Sequence, residues 1–225
     1  MKIHGTAKGG ALSTKDFGVA FGGNGAIAPT FNEDYESTDD WTFNPTSGNT
    51  FTINDGGNGL LLSTNTEDDV LNQCYRTMNT LPTEWTLKIE YKPTSTANNI
   101  FPCSITENSS EINSQAKGIG IKANGGTQLT VYSVLSGSVT NPGGYNTSLV
   151  LNTQYYIKIV NDDTNIIMSI FENSDYESDQ VGSDISITDP NFTTLDTLQH
   201  CGRSDGSDDP GNSFAINNFS MFDDT

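Results

Sequence analysis

Between positions 85 and 92 the chain alternates without a break: Trp85, Leu87, Ile89 and Tyr91 are apolar, while Thr86, Lys88, Glu90 and Lys92 are polar. Successive strand side chains point to opposite faces, so the run predicts a half-buried antiparallel strand with one greasy side. Shorter runs of the same character are predicted at 41–43, 50–53, 59–63, 70–76, 118–123, 129–134, 154–160, 165–171, 195–201 and 214–222. That makes about ten or eleven strands. Turn clusters separate them, notably Asn124-Gly125-Gly126 and Asn161-Asp162-Asp163-Thr164, whose residues tolerate the positive φ of tight hairpins. No stretch sustains a helical period. Many short strands without helices predict an all-β fold in which two antiparallel sheets bury their apolar faces against each other, a sandwich or jelly roll.

Charge divides the chain. Residues 1–30 hold seven glycines, three lysines and one acid, whereas the remainder carries seven basic and twenty-seven acidic side chains within a total net charge of −18. The expected organisation is an extended, Gly-rich, mildly cationic arm over 1–30 and one β domain over 31–225, since all-β domains of roughly 200 residues are ordinary. Opposite charges would steer the arm, through Lys2, Lys8 and Lys15, onto the anionic body of a neighbour. Alternating Phe17, Val19 and Phe21 could add a strand to a sheet edge, either its own or a neighbour's. Homo-oligomeric assembly is therefore expected.

A chain this acidic repels phosphate backbones and anionic lipid, so neither nucleic acid nor a membrane surface is expected as a partner. The first ten residues, Met1 to Gly10, contain no apolar run of signal-peptide length, so no secretory signal is expected. Hydrophobic residues make up 33% of the chain and charged residues 17%; Asn, Thr, Ser and Gly fill the difference. That surface suits a protein outside a cell. Cys74, Cys103 and Cys201 are odd in number and lie in or beside strand-like runs, where buried free thiols are the commoner role. His4 and His200 stand at opposite ends of the sequence, so a nitrogen- or sulfur-ligated metal is not expected.

The order of these features resembles the concanavalin A-like lectin/glucanase superfamily, and within it the laminin G-like jelly rolls of viral and phage structural proteins. Asp39-Asp40-Trp41 leads to Gly59-Leu60-Leu61-Leu62. Then come the 84–91 strand, Gly118-Ile119-Gly120-Ile121, the hairpin of 153–160 with 166–171, and the closing run 214–222. The resemblance lies in order and spacing over 31–225 and implies a two-sheet jelly roll. It also implies a last strand beside the first, with the arm leaving near the C-terminus.

Glucanases of this superfamily set Glu, Asp and Glu on alternate positions of one strand, because retaining chemistry needs its carboxylates about 5 to 5.5 Å apart. Glu84 and Glu90 do not have that spacing, and 172–177 is a turn-rich acidic loop. No catalytic residue is expected. Hard cations take several oxygen ligands on a bent loop; Asp205, Asp208, Asp209 and Asn212, within 203–212, could hold calcium. Sugar recognition stacks a ring on an exposed aromatic and hydrogen-bonds hydroxyls with Asn or Asp. Tyr145, Asn146 and Asn141 offer that chemistry, and Trp41 beside Asp39 and Asp40 offers it again, although a bulky strand ring more often packs inward.

Taken together, the expectation is a non-enzymatic structural or surface subunit of a virus-like particle, with itself and other virion proteins as partners and cell-surface glycan as a further candidate. The alternative is a free-standing carbohydrate-binding module; a glycoside-active enzyme ranks third.

Overall fold

The computed structural model describes residues 28–44, 50–53, 59–63, 72–95, 100–110, 115–124, 127–141, 144, 148–192, 194–202 and 213–225. The arm residues Lys2, Lys8, Lys15, Phe17, Val19 and Phe21, the sugar candidates Tyr145 and Asn146, and the metal candidates Asp205, Asp208, Asp209 and Asn212 lie outside them. No helix occurs among the described residues. The strands are β1 (Phe31–Glu33), β2 (Thr42–Asn44), β3 (Thr50–Ile53), β4 (Leu60–Ser63), β5 (Asn72–Thr77), β6 (Trp85–Pro93), β7 (Ile100–Thr106) and β8 (Lys117–Asn124). They continue with β9 (Gln128–Leu135), β10 (Ser138–Thr140), β11 (Tyr155–Asn161), β12 (Asn165–Phe171), β13 (Ile185–Thr188), β14 (Thr197–Gly202) and β15 (Ser213–Asp223).

Every pairing is antiparallel, and the strands form two sheets. The larger runs β13-β12-β11-β6-β15-β4-β3, with β1 also on β15; the smaller runs β10-β9-β8-β7-β14-β5-β2. Strand β6 is buried at every second residue, as its alternation predicts. Its partners present matching rows: Leu87 faces Ile159 and Met221, and Ile89 faces Ile157 and Phe219. Against these the smaller sheet packs Cys103, Ile105, Ile119, Ile121, Leu129, Val131 and Leu198 in one contiguous core. Each fully buried aliphatic side chain contributes about 1.5 to 3 kcal/mol, so this single layer dominates stability.

The described residues form fifteen strands, more than the ten or eleven expected. Three of the extra ones, β1, β10 and β13, are only three or four residues long and each pairs with a single neighbouring strand. The fourth, β7, is central and wholly buried, and it contains Pro102, which cannot donate to a ladder. A bulge resolves the conflict, with register shifting between Ile100 and Cys103 against β8 and between Gln199 and Cys201 on β14. A second bulge, between Ile216 and Asn218, lets β15 follow β6 throughout. It explains why the inward apolar residues change parity from Phe214 and Ile216 to Phe219 and Met221. Gly59, at φ +62°, passes this bulge so closely that a Cβ there would lie 2.2 Å from the Ile216 carbonyl oxygen.

As the resemblance implied, the first strand lies beside the last, with Phe31 opposite Met221. Thr30 still belongs to the domain: its amide donates to Met221 O at 2.8 Å, and Asn79 Nδ2 donates to its carbonyl at 2.7 Å.

Candidate functional site

Three groupings carry polar chemistry. The first is interior. His200 is fully buried, its Nδ1 lies 2.6 Å from Pro102 O and its Nε2 lies 2.8 Å from Tyr35 OH. A carbonyl can only accept, so Nδ1 carries the proton and Nε2 accepts from the Tyr35 hydroxyl. The bulge around Pro102 leaves that carbonyl for the imidazole. Trp41 lies over the ring at 5.3 Å. Burial pushes His200 down to about 4, and the Pro102 hydrogen bond only partly offsets it. The segment supplying Tyr35 and Trp41 crosses from β1 in the larger sheet to β2 in the smaller. Glu33 anchors it by pairing with Arg76 and by accepting from the Tyr35 amide at 2.7 Å. Trp41 is therefore an interior residue that braces a strap, as expected of a bulky ring, and not an exposed sugar platform.

The second grouping lines the outer face of the smaller sheet. Ser104, Gly120 and Tyr132 stand in one cross-strand row. Because Gly120 has no side chain, Ser104 Oγ and Tyr132 OH meet across it at 2.6 Å; a Cβ there would sit 2.3 Å from Cys103 O. Burial pushes the Tyr132 hydroxyl well above its ordinary range, so it stays neutral. Phe101 meets Tyr132 edge-on at 5.1 Å, and Val134, Cys201 and Val139 complete the cluster. Alongside, three glutamines grip the segment after β7. Gln199 Nε2 donates to Asn108 O at 2.6 Å and to Thr106 Oγ1 at 2.7 Å, and Gln73 Nε2 donates to Ser109 O at 2.8 Å. Gln115 Nε2 donates to Asn108 O at 2.8 Å. The Oε1 atoms of Gln73 and Gln115 are buried without a hydrogen-bond partner. The strands of this sheet contain no aspartate or glutamate; the outer face presents hydroxyl, amide and aromatic groups together with Lys122, whose Nζ lies 6.0 Å from the centroid of the Phe101 ring.

The third is the end of the sandwich where this face meets the loops. Strand β14 ends at Gly202 beside the start of β5, and β7 begins there, since Phe101 faces Cys201. The β8–β9 hairpin closes at the same end, and Leu149 N donates to Thr127 O at 2.7 Å. Three residues later Asn152 N donates to Pro93 O at 2.7 Å, tying in the larger sheet where β15 begins opposite β6. The acidic segment 203–212 is attached to this end through Gly202 and Ser213. The candidate sugar segment follows β10, whose Val139 packs on the Phe101–Tyr132 cluster, and it precedes Ser148, whose Oγ lies 3.3 Å from Gln128 Nε2. Asn141, the described member of that set, is half-buried at its start and is itself engaged.

Sequence reasoning missed the three glutamines. Gln73 and Gln199 were legible as polar residues on predicted strands, but their convergence on 108–110 depends on β5 and β14 being neighbours. Among the described residues, no three of His, Cys, Asp and Glu stand close enough to hold a metal ion. All three cysteines are buried and none forms a disulfide.

The sequence matches no protein-family model and no curated protein. Solved structures do resemble it. The exoplasmic/lumenal domain of VIP36 in its Ca2+/Man3GlcNAc-bound form superposes with a TM-score of 0.63 at 11% identity, over 88% of this chain and 91% of that one. A protein of unknown function from Shewanella oneidensis MR-1 superposes at 0.53 and 14% identity, over 84% of each chain. The Bacteroides ovatus xyloglucan PUL GH43B protein superposes with a TM-score of 0.54 at 13% identity, over 86% of this chain and 39% of that one. Identities this low speak for architecture alone. The two facing antiparallel sheets, the adjacent first and last strands and these superpositions make the fold that of the concanavalin A-like jelly rolls.

Proposed function

We propose that this chain is a carbohydrate-binding module that takes neutral sugar residues at the loop end of the smaller sheet. In this reading Tyr145 stacks on a sugar face, and Asn141 and Asn146 bond its hydroxyls. The observation that carries it is chemical: in a chain with twenty-eight acids, the strands of this sheet hold none. Its outer face offers amides, hydroxyls, aromatic rings and the single ammonium of Lys122, which suit hydroxyl recognition more than acid/base cleavage by paired carboxylates. The likeness to a VIP36 domain seen with calcium and an oligosaccharide supports the same class. Asp205, Asp208, Asp209 and Asn212 are hard oxygen donors suited to calcium, which would order the loop and could coordinate sugar hydroxyls.

A glycan array followed by calorimetry, with calcium and then with EDTA, tests this. Binding of a neutral oligosaccharide is expected, lost in Tyr145→Ala and weakened by EDTA. Failure to bind any neutral glycan with calcium present, or binding indifferent to Tyr145→Ala, overturns it.

A second reading, a self-associating subunit of a particle surface, draws on the charge contrast and on the point where the arm leaves. Since Thr30 is bonded to β15 and Asn79, the cut that tests it removes residues 1–27 and not 1–30. Light scattering should then show a multimer for the full chain and a folded monomer for the truncated one; two monomers would sink it.

A further inference from the structure

The outer face of the larger sheet is built differently. Lys88 and Lys158 stand directly opposite each other on β6 and β11, an arrangement that costs stability because like charges across a strand pair repel. Neither is ion-paired among the described residues, where Arg76 makes the salt bridges. Lys88 Nζ lies 5.1 Å from the centroid of the Tyr176 ring and 5.2 Å from that of Phe222. Tyr176 meets Tyr156 edge-on at 5.6 Å. Its position is set by a stapled turn: Asp175 Oδ1 accepts from the Glu177 and Ser178 amides at 2.9 and 3.0 Å, and Ser178 Oγ donates to Asp175 Oδ2 at 2.5 Å. The result is an aromatic pair beside the Lys88 ammonium, with Lys158 opposite it on β11.

We infer that this face holds a second sugar subsite, for a residue bearing a single carboxylate, bracketed by Lys88 and Lys158 with Tyr176 against the ring. The inference rests on the carbohydrate-binding reading and deepens it. One carboxylate placed between two ammonium groups relieves their repulsion and forms charge-assisted hydrogen bonds to both. Burial, and then the Lys158 charge, push the Lys88 ammonium below its ordinary value; Glu177 and Asp224 oppose this more weakly. Those acids, with Glu90 opposite Tyr156 and a net charge of −18, repel a polyanion. The subsite therefore selects an isolated uronate over a sulfated or polyuronate chain.

The experiment titrates the full chain by calorimetry with an oligosaccharide ending in glucuronic acid, with the methyl ester of that acid, and with a neutral mannose oligosaccharide. The acid should bind about tenfold more tightly than its ester, and Lys88→Gln and Lys158→Gln should each weaken the acid about tenfold, as the loss of one charged hydrogen bond does. Lys117→Gln should change nothing. Equal binding of acid and ester overturns the inference without any variant, as does acid binding that survives both lysine substitutions. Retained neutral-sugar binding with no preference for the acid removes this subsite alone; absence of all binding removes the carbohydrate-binding reading as well.

Discussion

The two outward faces of this sandwich solve the same problem in opposite ways. On the smaller sheet, Ser104, Tyr132, Thr130 and Gln199 are fully buried, and the chain's own segment 108–110 is held over part of the face by glutamine amides. On the larger sheet, Lys88, Glu90, Lys158 and Tyr156 remain half-exposed, with charge next to charge. A face that is buried must satisfy most of its polar atoms within the protein, since an unmade bond there costs about 1 to 3 kcal/mol; the Oε1 atoms of Gln73 and Gln115 are exceptions. A face in water has no such obligation and can hold two lysines directly opposite each other. The middle of the smaller sheet's outer face is thus bound up with the fold, which leaves its loop end for the proposed sugar site, while the larger sheet's outer face stays open to solvent.

The contrast can be broken most severely at Gly120. Replacing it with valine forces a Cβ toward Cys103 O and separates Ser104 from Tyr132, so Gly120→Val should cost more than about 3 kcal/mol in urea unfolding. A small change there would mean that β7 and β8 can separate freely.

His200, the neighbour of Gln199 on the interior side, sharpens the comparison through pH. Its folded value of about 4 lies below the ordinary 6.5, so the unfolded chain takes up the proton first. The stability tied to the neutral ring is complete above pH 6.5 and is lost as pH falls from 6.5 toward 4, by roughly 3 kcal/mol in all. Thermal unfolding across that window should show the decline, and His200→Gln should remove it. An unchanged slope in the variant would assign the decline to other groups.

Gln199→Leu removes the donor to Asn108 O and Thr106 Oγ1. It should cost about 1 to 3 kcal/mol and speed amide exchange in 107–110 while leaving the larger sheet's protection intact. Uniform loss of protection would show that the two faces are not separable.

The smallest effect belongs to the open face. Lys158→Gln should stabilise the fold by roughly 0.2 to 0.5 kcal/mol in low salt, and the gain should shrink at 0.5 M salt as screening hides the repulsion. Destabilisation would mean that Lys158 is held by a favourable contact.

Much of the architecture was legible in the order of residues. The alternation of 85–92, the hairpin at Asn161 to Thr164 and the burial of the cysteines all follow from local rules, and the structure has them. Asp163 adopts φ +66° in that turn, and Asp162 Oδ1 accepts from the Thr164 and Asn165 amides at 3.0 and 2.7 Å. Strand β7 was less legible because Pro102 argues against a central strand until a bulge and the His200 ring supply what it lacks. The candidate sites were legible as residue types only. Asn141 could be named from sequence, but its place at the rim of an acid-free sheet could not.

By itself, the sequence determined that the chain builds amphipathic strands, where they turn, that they face one another in two layers, and that the body is strongly anionic. Those properties depend on neighbours within a few residues, where side-chain alternation and turn geometry act directly. Only the tertiary structure decided that Lys88 stands opposite Lys158, that Ser104 reaches Tyr132 across a glycine, and that three glutamines meet over one short segment. Each of these contacts joins residues that strand register, and not sequence distance, brings within a few ångströms.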